Sequence, residues 1–98
     1  MPVYMIIETK TIDRRKYDEY IAKVPPIIAA YGGKYLARTS HVTPGMGGWR
    51  PERIIILEFP SREHIQRCFS SPEYREIAPL RETSTEGRSI IVDGLEKE

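Results

Sequence analysis

The chain lacks most of the residues that mark a secreted, metal-bound or nucleic-acid-bound domain. It has one cysteine, Cys68, and two histidines, His41 and His64. Small extracellular domains carry an even, dense set of cysteines, so a disulfide framework is excluded. Neither histidine has a second ligand at the spacing a metal site needs, so no metal is expected. A haem on a single axial histidine would have no second feature to support it. An excess of charge of one sign is also missing: 15 Lys+Arg stand against 14 Asp+Glu, a formal net charge of +1. The densest basic stretch, Arg14-Arg15-Lys16, is diluted at once by Asp13, Asp18 and Glu19. A nucleic-acid partner leaves a clustered basic footprint, and none is expected here. The apolar opening, Val3-Tyr4-Met5-Ile6-Ile7, has no basic flank and stops at Glu8, too short for a leader or a membrane span. No membrane partner is expected, and the cytoplasm is the default compartment.

What remains is a chain of 98 residues, enough for one domain over 1–98 that buries only roughly 60–65% of the surface its unfolded chain exposes and would gain from self-association. Residues 3–9 read as a strand. Asp13 offers a helix cap, and Tyr17, Tyr20, Ile21, Val24, Ile28 and Tyr31 fall on one helical face. Pro25-Pro26 interrupts that face at a cost of about 3 kcal/mol per interior proline, which predicts a kink or a restart. Gly32-Gly33 ends the helix. Residues 34–41 form a second strand and 42–51 a breaker-rich loop. The third strand, 53–59, is the most apolar. Ser61 caps a short helix carrying Ile65, Cys68 and Phe69, so Cys68 reads as core filler. Ser71-Pro72-Glu73 starts another helix, with Tyr74, Ile77, Ala78 and Arg81 on one face and Pro79 as a bend or stop. The last strand is 89–93, and 94–98 is an expected frayed tail.

This order, βαββαβ, is the ferredoxin-like arrangement: an α+β domain with a four-stranded antiparallel sheet in the order β4-β1-β3-β2. Helices cover one face of such a sheet, yet these strands are apolar on both. Val3, Met5 and Ile7 oppose Tyr4 and Ile6; Ile55, Leu57 and Phe59 oppose Ile54 and Ile56. Leaving the second face wet invites aggregation, and a second copy is its simplest cover. A homodimer is therefore expected.

Three segments carry a family likeness. They are Ile28-Ala29-Ala30-Tyr31-Gly32-Gly33-Lys34-Tyr35-Leu36-Ala37-Arg38, the run from Trp49-Arg50-Pro51-Glu52-Arg53 through Phe59-Pro60-Ser61, and Ser71-Pro72-Glu73-Tyr74-Arg75-Glu76. With them the chain resembles the domain of unknown function 1330 family across essentially its whole length. The resemblance implies a ferredoxin-like fold within the dimeric α/β-barrel superfamily, and it implies no established reaction. That superfamily includes cofactor-free monooxygenases, muconolactone isomerases and haem-binding chlorite dismutases. In several of them the ligand lies between sheet and helices. Borrowing any of these activities would be analogy of fold alone.

The residues offer few chemical constellations. Pro44-Gly45-Met46-Gly47-Gly48-Trp49 is glycine-rich, but a strand follows it where a dinucleotide site needs a helix. It reads as a flexible loop or, functionally, as a lid anchored by Trp49. No cofactor motif is present, and no cofactor is expected. Glu8, Arg38 and Glu58 are strand charges among apolar neighbours. An Arg38–Glu58 ion pair is the plain expectation, and Glu58 as a proton shuttle the sharper one. Tyr74 and Arg81 lie seven apart on one helical face, where a guanidinium and a phenol suit a carboxylate. His41 ends a strand and could serve the same cleft as a base. The candidate catalytic residues are thus His41 and Glu58, and the candidate ligand-binding residues Arg38, Trp49, Tyr74 and Arg81. They point to a small anionic or aromatic ligand in a sheet–helix cleft, with proton transfer or cofactor-free oxygenation as the matching chemistry. The alternative is a non-catalytic structural or interaction module with a packed interior.

Overall fold

The computed structural model describes residues 1–95. Its elements run β1 (Val3–Thr11), α1 (Arg14–Ala30), β2 (Lys34–Thr39), β3 (Arg53–Phe59), α2 (Arg62–Ser70), α3 (Pro72–Ser84) and β4 (Thr85–Asp93). The four strands form one antiparallel sheet in the order β2-β3-β1-β4, as the βαββαβ order implies.

Local signals explain most boundaries. Asp13 caps α1 by accepting from the Lys16 N–H. Gly32, at φ 83°, lets the chain turn off α1: its N–H reaches Ala29 O and that of Gly33 reaches Ile28 O. Ser61 and Ser71 cap α2 and α3 in the same way, with Pro72 in the first turn of α3. The prolines are less disruptive than their propensity suggests. Helix α1 continues through Pro25 and Pro26 without restarting, because Val24 and Ile28 on either side are both buried in the core. Helix α3 likewise runs past Pro79 to Ser84. Tertiary packing overrides propensity in both cases.

Two strands differ from expectation. β2 stops at Thr39 and leaves His41 outside it. β4 begins at Thr85, immediately after α3, and its polar first half pairs with Glu8 to Thr11 of a longer β1. Gly94 donates to Pro2 O at 2.8 Å, so the start of the expected tail is held; the rest of that tail, 96–98, lies outside the described residues.

The sheet divides the chain into two unlike sides. Val3, Thr9, Ile55, Leu57 and Phe59 face the helices and are buried with Tyr17, Tyr20, Val24, Ile28, Ile65, Cys68, Tyr74 and Ile77. Cys68 is fully buried, and burial pushes its thiol up to about 11. Tyr4, Ile6, Ile54, Ile56, Ile90 and Val92 alternate with these and face away from the helices. The Cα trace measures 45 × 39 × 16 Å, and its thin dimension is one sheet plus one layer of helices. Ile90 is accordingly 58 % exposed.

Candidate functional site

The helix-side surface of β4 is left open, being exposed from Glu86 onward. Helices α1 and α3 pack against each other and leave a cleft over β1 and β4. The cleft has two parts. An inner chamber of ≈ 50 Å³ is lined by apolar residues of α1 and β3 together with Thr9, Tyr20, Tyr35, Arg38 and Arg81. A mouth of ≈ 480 Å³ lies between α3 and β1/β4, with Met5, Ile7, Phe69 and Ala78 on its apolar side and Tyr74, Arg81 and Ser89 on its polar side, where Arg75, Arg88, Glu8 and Glu82 also border it. The two adjoin at Ile7, Thr9, Tyr20, Phe69 and Arg81. The chamber has room for a few water-sized groups, whereas the mouth is in the size range of a small-molecule site.

Arg38 reaches the chamber because of a β-bulge. Tyr35 pairs with Leu57, but Ala37 pairs with Ile56 and Arg38 with Ile55, so Leu36 is an extra residue. Strict alternation would put Tyr35 and Arg38 on opposite faces. The bulge puts both on the helix side, and the Arg38 guanidinium carbon lies 4.9 Å from the Tyr35 ring centroid. Burial raises the Tyr35 phenol above its ordinary value, and the nearby Arg38 partly opposes that shift.

Arg81 enters from the other side. Its Nε donates to Tyr74 Oη at 3.1 Å, and Tyr74 Oη lies 2.9 Å from Tyr20 Oη. Both tyrosines are buried, at 5 % and 9 % exposure. Burial holds the Tyr20 phenol protonated far above its ordinary range. The neighbouring Tyr74 adds to this, and Arg81 works against it. Among the described residues neither Arg38 nor Arg81 meets a carboxylate: the ion pairs are Arg14–Asp18, Lys23–Glu19, Arg62–Asp93, Arg67–Glu63 and Arg88–Glu8. Arg38 and Arg81 are themselves exposed, so the chamber has two cations at its rim and neutral phenols in its wall.

The structure brings together Arg38, Tyr74 and Arg81 but not the remaining candidates. Glu58 pairs with Tyr4 and Lys34 across the strands and so faces away from the helices. The expected Arg38–Glu58 ion pair is not formed, because the bulge separates the two residues onto opposite faces. His41 is exposed beyond β2, its N–H bonded to Thr39 Oγ1, and lines neither part of the cleft. Trp49 also lies on the far face: its indole N–H donates to Glu8 Oε2 at 3.2 Å, and its ring borders Ile6 and Ile90. The glycine-rich loop thus lies over the outer sheet face, with Val42, Pro44 and Met46 above Ile6, Ile54 and Ile56, and is no lid on the cleft. Glu8 accepts from Arg88 at 2.6 Å as well, and this bond most of all holds its carboxyl below the usual value. Among the described residues no three of His, Cys, Asp and Glu gather in a metal-binding group, and no helix is long and apolar enough to cross a membrane.

Tyr20 and Tyr35 were not among the candidates. A signal for them existed: the chain has six tyrosines and two phenylalanines, and Tyr20 occupies a core position where phenylalanine would pack as well. A buried hydroxyl needs a partner, which phenylalanine does not.

With the geometry established, comparison with known proteins adds the following. The family model described as domain of unknown function (DUF1330) matches residues 2–95, in agreement with the likeness seen in the sequence segments. No curated protein matches. The crystal structure of RPA0582, a protein of unknown function from Rhodopseudomonas palustris, is similar at 19% identity, covering 98% of this chain and 84% of that one with a TM-score of 0.80. SnoaB, a cofactor-independent oxygenase from Streptomyces nogalater, is similar at 9% identity, with 98% and 95% covered and a TM-score of 0.71. A dimeric ferredoxin-like protein of unknown function from Thermobifida fusca shares 10% identity, with 93% and 89% covered and a TM-score of 0.66. At these identities the likeness is one of fold.

Proposed function

The chain belongs to the family DUF1330, whose description assigns no reaction, and from its cleft we propose that it binds a small organic anion between sheet and helices. The anionic head occupies the inner chamber between Arg38 and Arg81, and the apolar body lies in the mouth against Ile7, Phe69 and Ala78. One observation carries this reading: two guanidiniums line one small chamber, and among the described residues neither has a carboxylate partner. Planar, paired N–H donors suit a carboxylate, and the chamber is large enough for that group but not for a ring.

The chamber walls offer no base. His41 and Glu58 lie elsewhere, and Tyr20 stays protonated, so chemistry here would act by holding an anion rather than by abstracting a proton. The activity of SnoaB, oxygenation without a cofactor, is compatible with such a site. The reading includes a homodimer joined through the outer sheet face, supported by the apolar surface there and by the dimeric relative. It also includes a cytoplasmic setting, supported by a lone, buried, unpaired Cys68.

The test is calorimetric titration with phenylacetate and its neutral amide. Phenylacetate should bind and phenylacetamide should not, and Arg81→Ala should remove the difference. Equal binding of acid and amide would refute an anion site and favour a packed interaction module.

A further inference from the structure

Arg81, Tyr74 and Tyr20 form a chain of hydrogen bonds whose direction follows from what each group can do. A guanidinium only donates, so Tyr74 Oη accepts from Arg81 Nε. Three donor hydrogens, the Arg81 Nε–H and two phenol O–H groups, share two links. One phenol O–H is therefore left without an acceptor within the chain. If Tyr20 donated to Tyr74, a single oxygen would accept twice, and the less exposed Tyr74 would keep the spare hydrogen. In the opposite sense the bonds run head to tail, Arg81 to Tyr74 to Tyr20, and each polarises the next. The spare O–H is then that of Tyr20, 91 % removed from solvent and lining both the chamber and the mouth.

Resting on the reading that the chamber holds a carboxylate, we infer that the ligand carries a carbonyl oxygen next to that carboxylate, and that Tyr20 is the residue that reads it. The ligand class is a 2-oxo acid. The chamber holds little beyond the carboxylate itself, so a group that meets both Tyr20 and the two arginines has its second oxygen on the adjacent carbon. A carbonyl accepts and has no hydrogen to offer, which matches a site made only of donors. An acid lacking that oxygen would leave the Tyr20 O–H buried and unpaired, the situation in which hydrogen-bonding sites discriminate best.

The experiment compares phenylglyoxylate with phenylacetate, which differ by C=O against CH₂ beside the carboxylate. Calorimetric titration of the wild type should show phenylglyoxylate binding about tenfold more tightly, the net worth of one hydrogen bond. Tyr20→Phe should erase the preference, so that the two acids bind with equal affinity. Should Tyr20→Phe fail to fold, Tyr74→Phe serves instead, since it cuts Tyr20 off from Arg81 and should shrink the preference. Equal binding of both acids by the wild type overturns the 2-oxo assignment and leaves the anion site standing. A preference that survives Tyr20→Phe removes Tyr20 from the role. Failure of both acids to bind overturns the anion site and this inference together.

Discussion

The two faces of the sheet share an apolar alternation and differ in how their charges are balanced. On the outer face Glu8 is held by Arg88 and Trp49, and Glu58 stands across from Lys34. Glu8 is met within the chain, Glu58 has Lys34 only as a cross-strand neighbour without an ion pair among the described residues, and the surface around them is aliphatic and exposed. On the inner face Arg38 and Arg81 share a chamber without an acid among the described residues. A face whose acids each have a basic neighbour is suited to cover by protein, since burying an unmet charge is costly. A face with unmet cations around a small chamber is suited to an anion. The proposed reading accordingly puts assembly on one side of the sheet and binding on the other.

Each side can be broken separately. The largest effect should come from Ile56→Asp, which puts a carboxylate into the outer apolar surface. At about 3–5 kcal/mol for a buried unpaired charge, association should weaken more than a hundredfold. Light scattering after size exclusion should show the dimer of the native chain become a monomer. Next is the inner face. Arg38→Ala or Arg81→Ala should each cost about 2–3 kcal/mol of phenylacetate affinity, roughly thirty- to a hundredfold, without changing the oligomer.

Deleting Leu36 sharpens the comparison, because it removes the extra residue of the bulge without moving Arg38 between the faces. Tyr35, Ala37 and Arg38 would then follow one another opposite Leu57, Ile56 and Ile55 in regular alternation, so Arg38 stays on the inner side. Calorimetry should show phenylacetate affinity within about threefold of the native chain, in contrast to Arg38→Ala.

The smallest effect is at Glu8. Its carboxyl is held below the ordinary value, chiefly by the Arg88 hydrogen bond, so the native state binds that proton less readily than the unfolded chain. The stabilisation is full above the ordinary carboxylate value of 4.5 and is lost as pH falls through the lower folded value. Trp49 is the chain's single tryptophan, and its emission should shift red over that acid range. Glu8→Gln should produce the shift at neutral pH.

How much of this was legible beforehand depends on the scale of each signal. The element order, the strand order, the caps at Asp13, Ser61 and Ser71, and the turn at Gly32 rest on local chemistry and could be read directly. Tyr74 and Arg81 could be paired because helical spacing alone sets their common face. Arg38 could not be paired from the sequence, since one extra residue in β2 reverses strand parity and no residue type announces it, and the expected Arg38–Glu58 ion pair does not form. Glu58 and Trp49 fell on the wrong side for a related reason: alternation gives two faces without saying which one the helices cover. The first half of β4, Thr85-Glu86-Gly87-Arg88, is polar and contains a glycine, so only its pairing with β1 makes it a strand. Gly87 suits that place because a Cβ there would run into Glu8 O.

The most direct test of a binding face set against an assembly face is a crystal structure of the dimer with phenylacetate. The carboxylate should lie in the chamber within hydrogen-bonding reach of both Arg38 and Arg81, with the ring against Phe69 and the outer sheet faces pressed together. A ligand bound on the outer face, or a carboxylate in the cleft touching neither arginine, would contradict it.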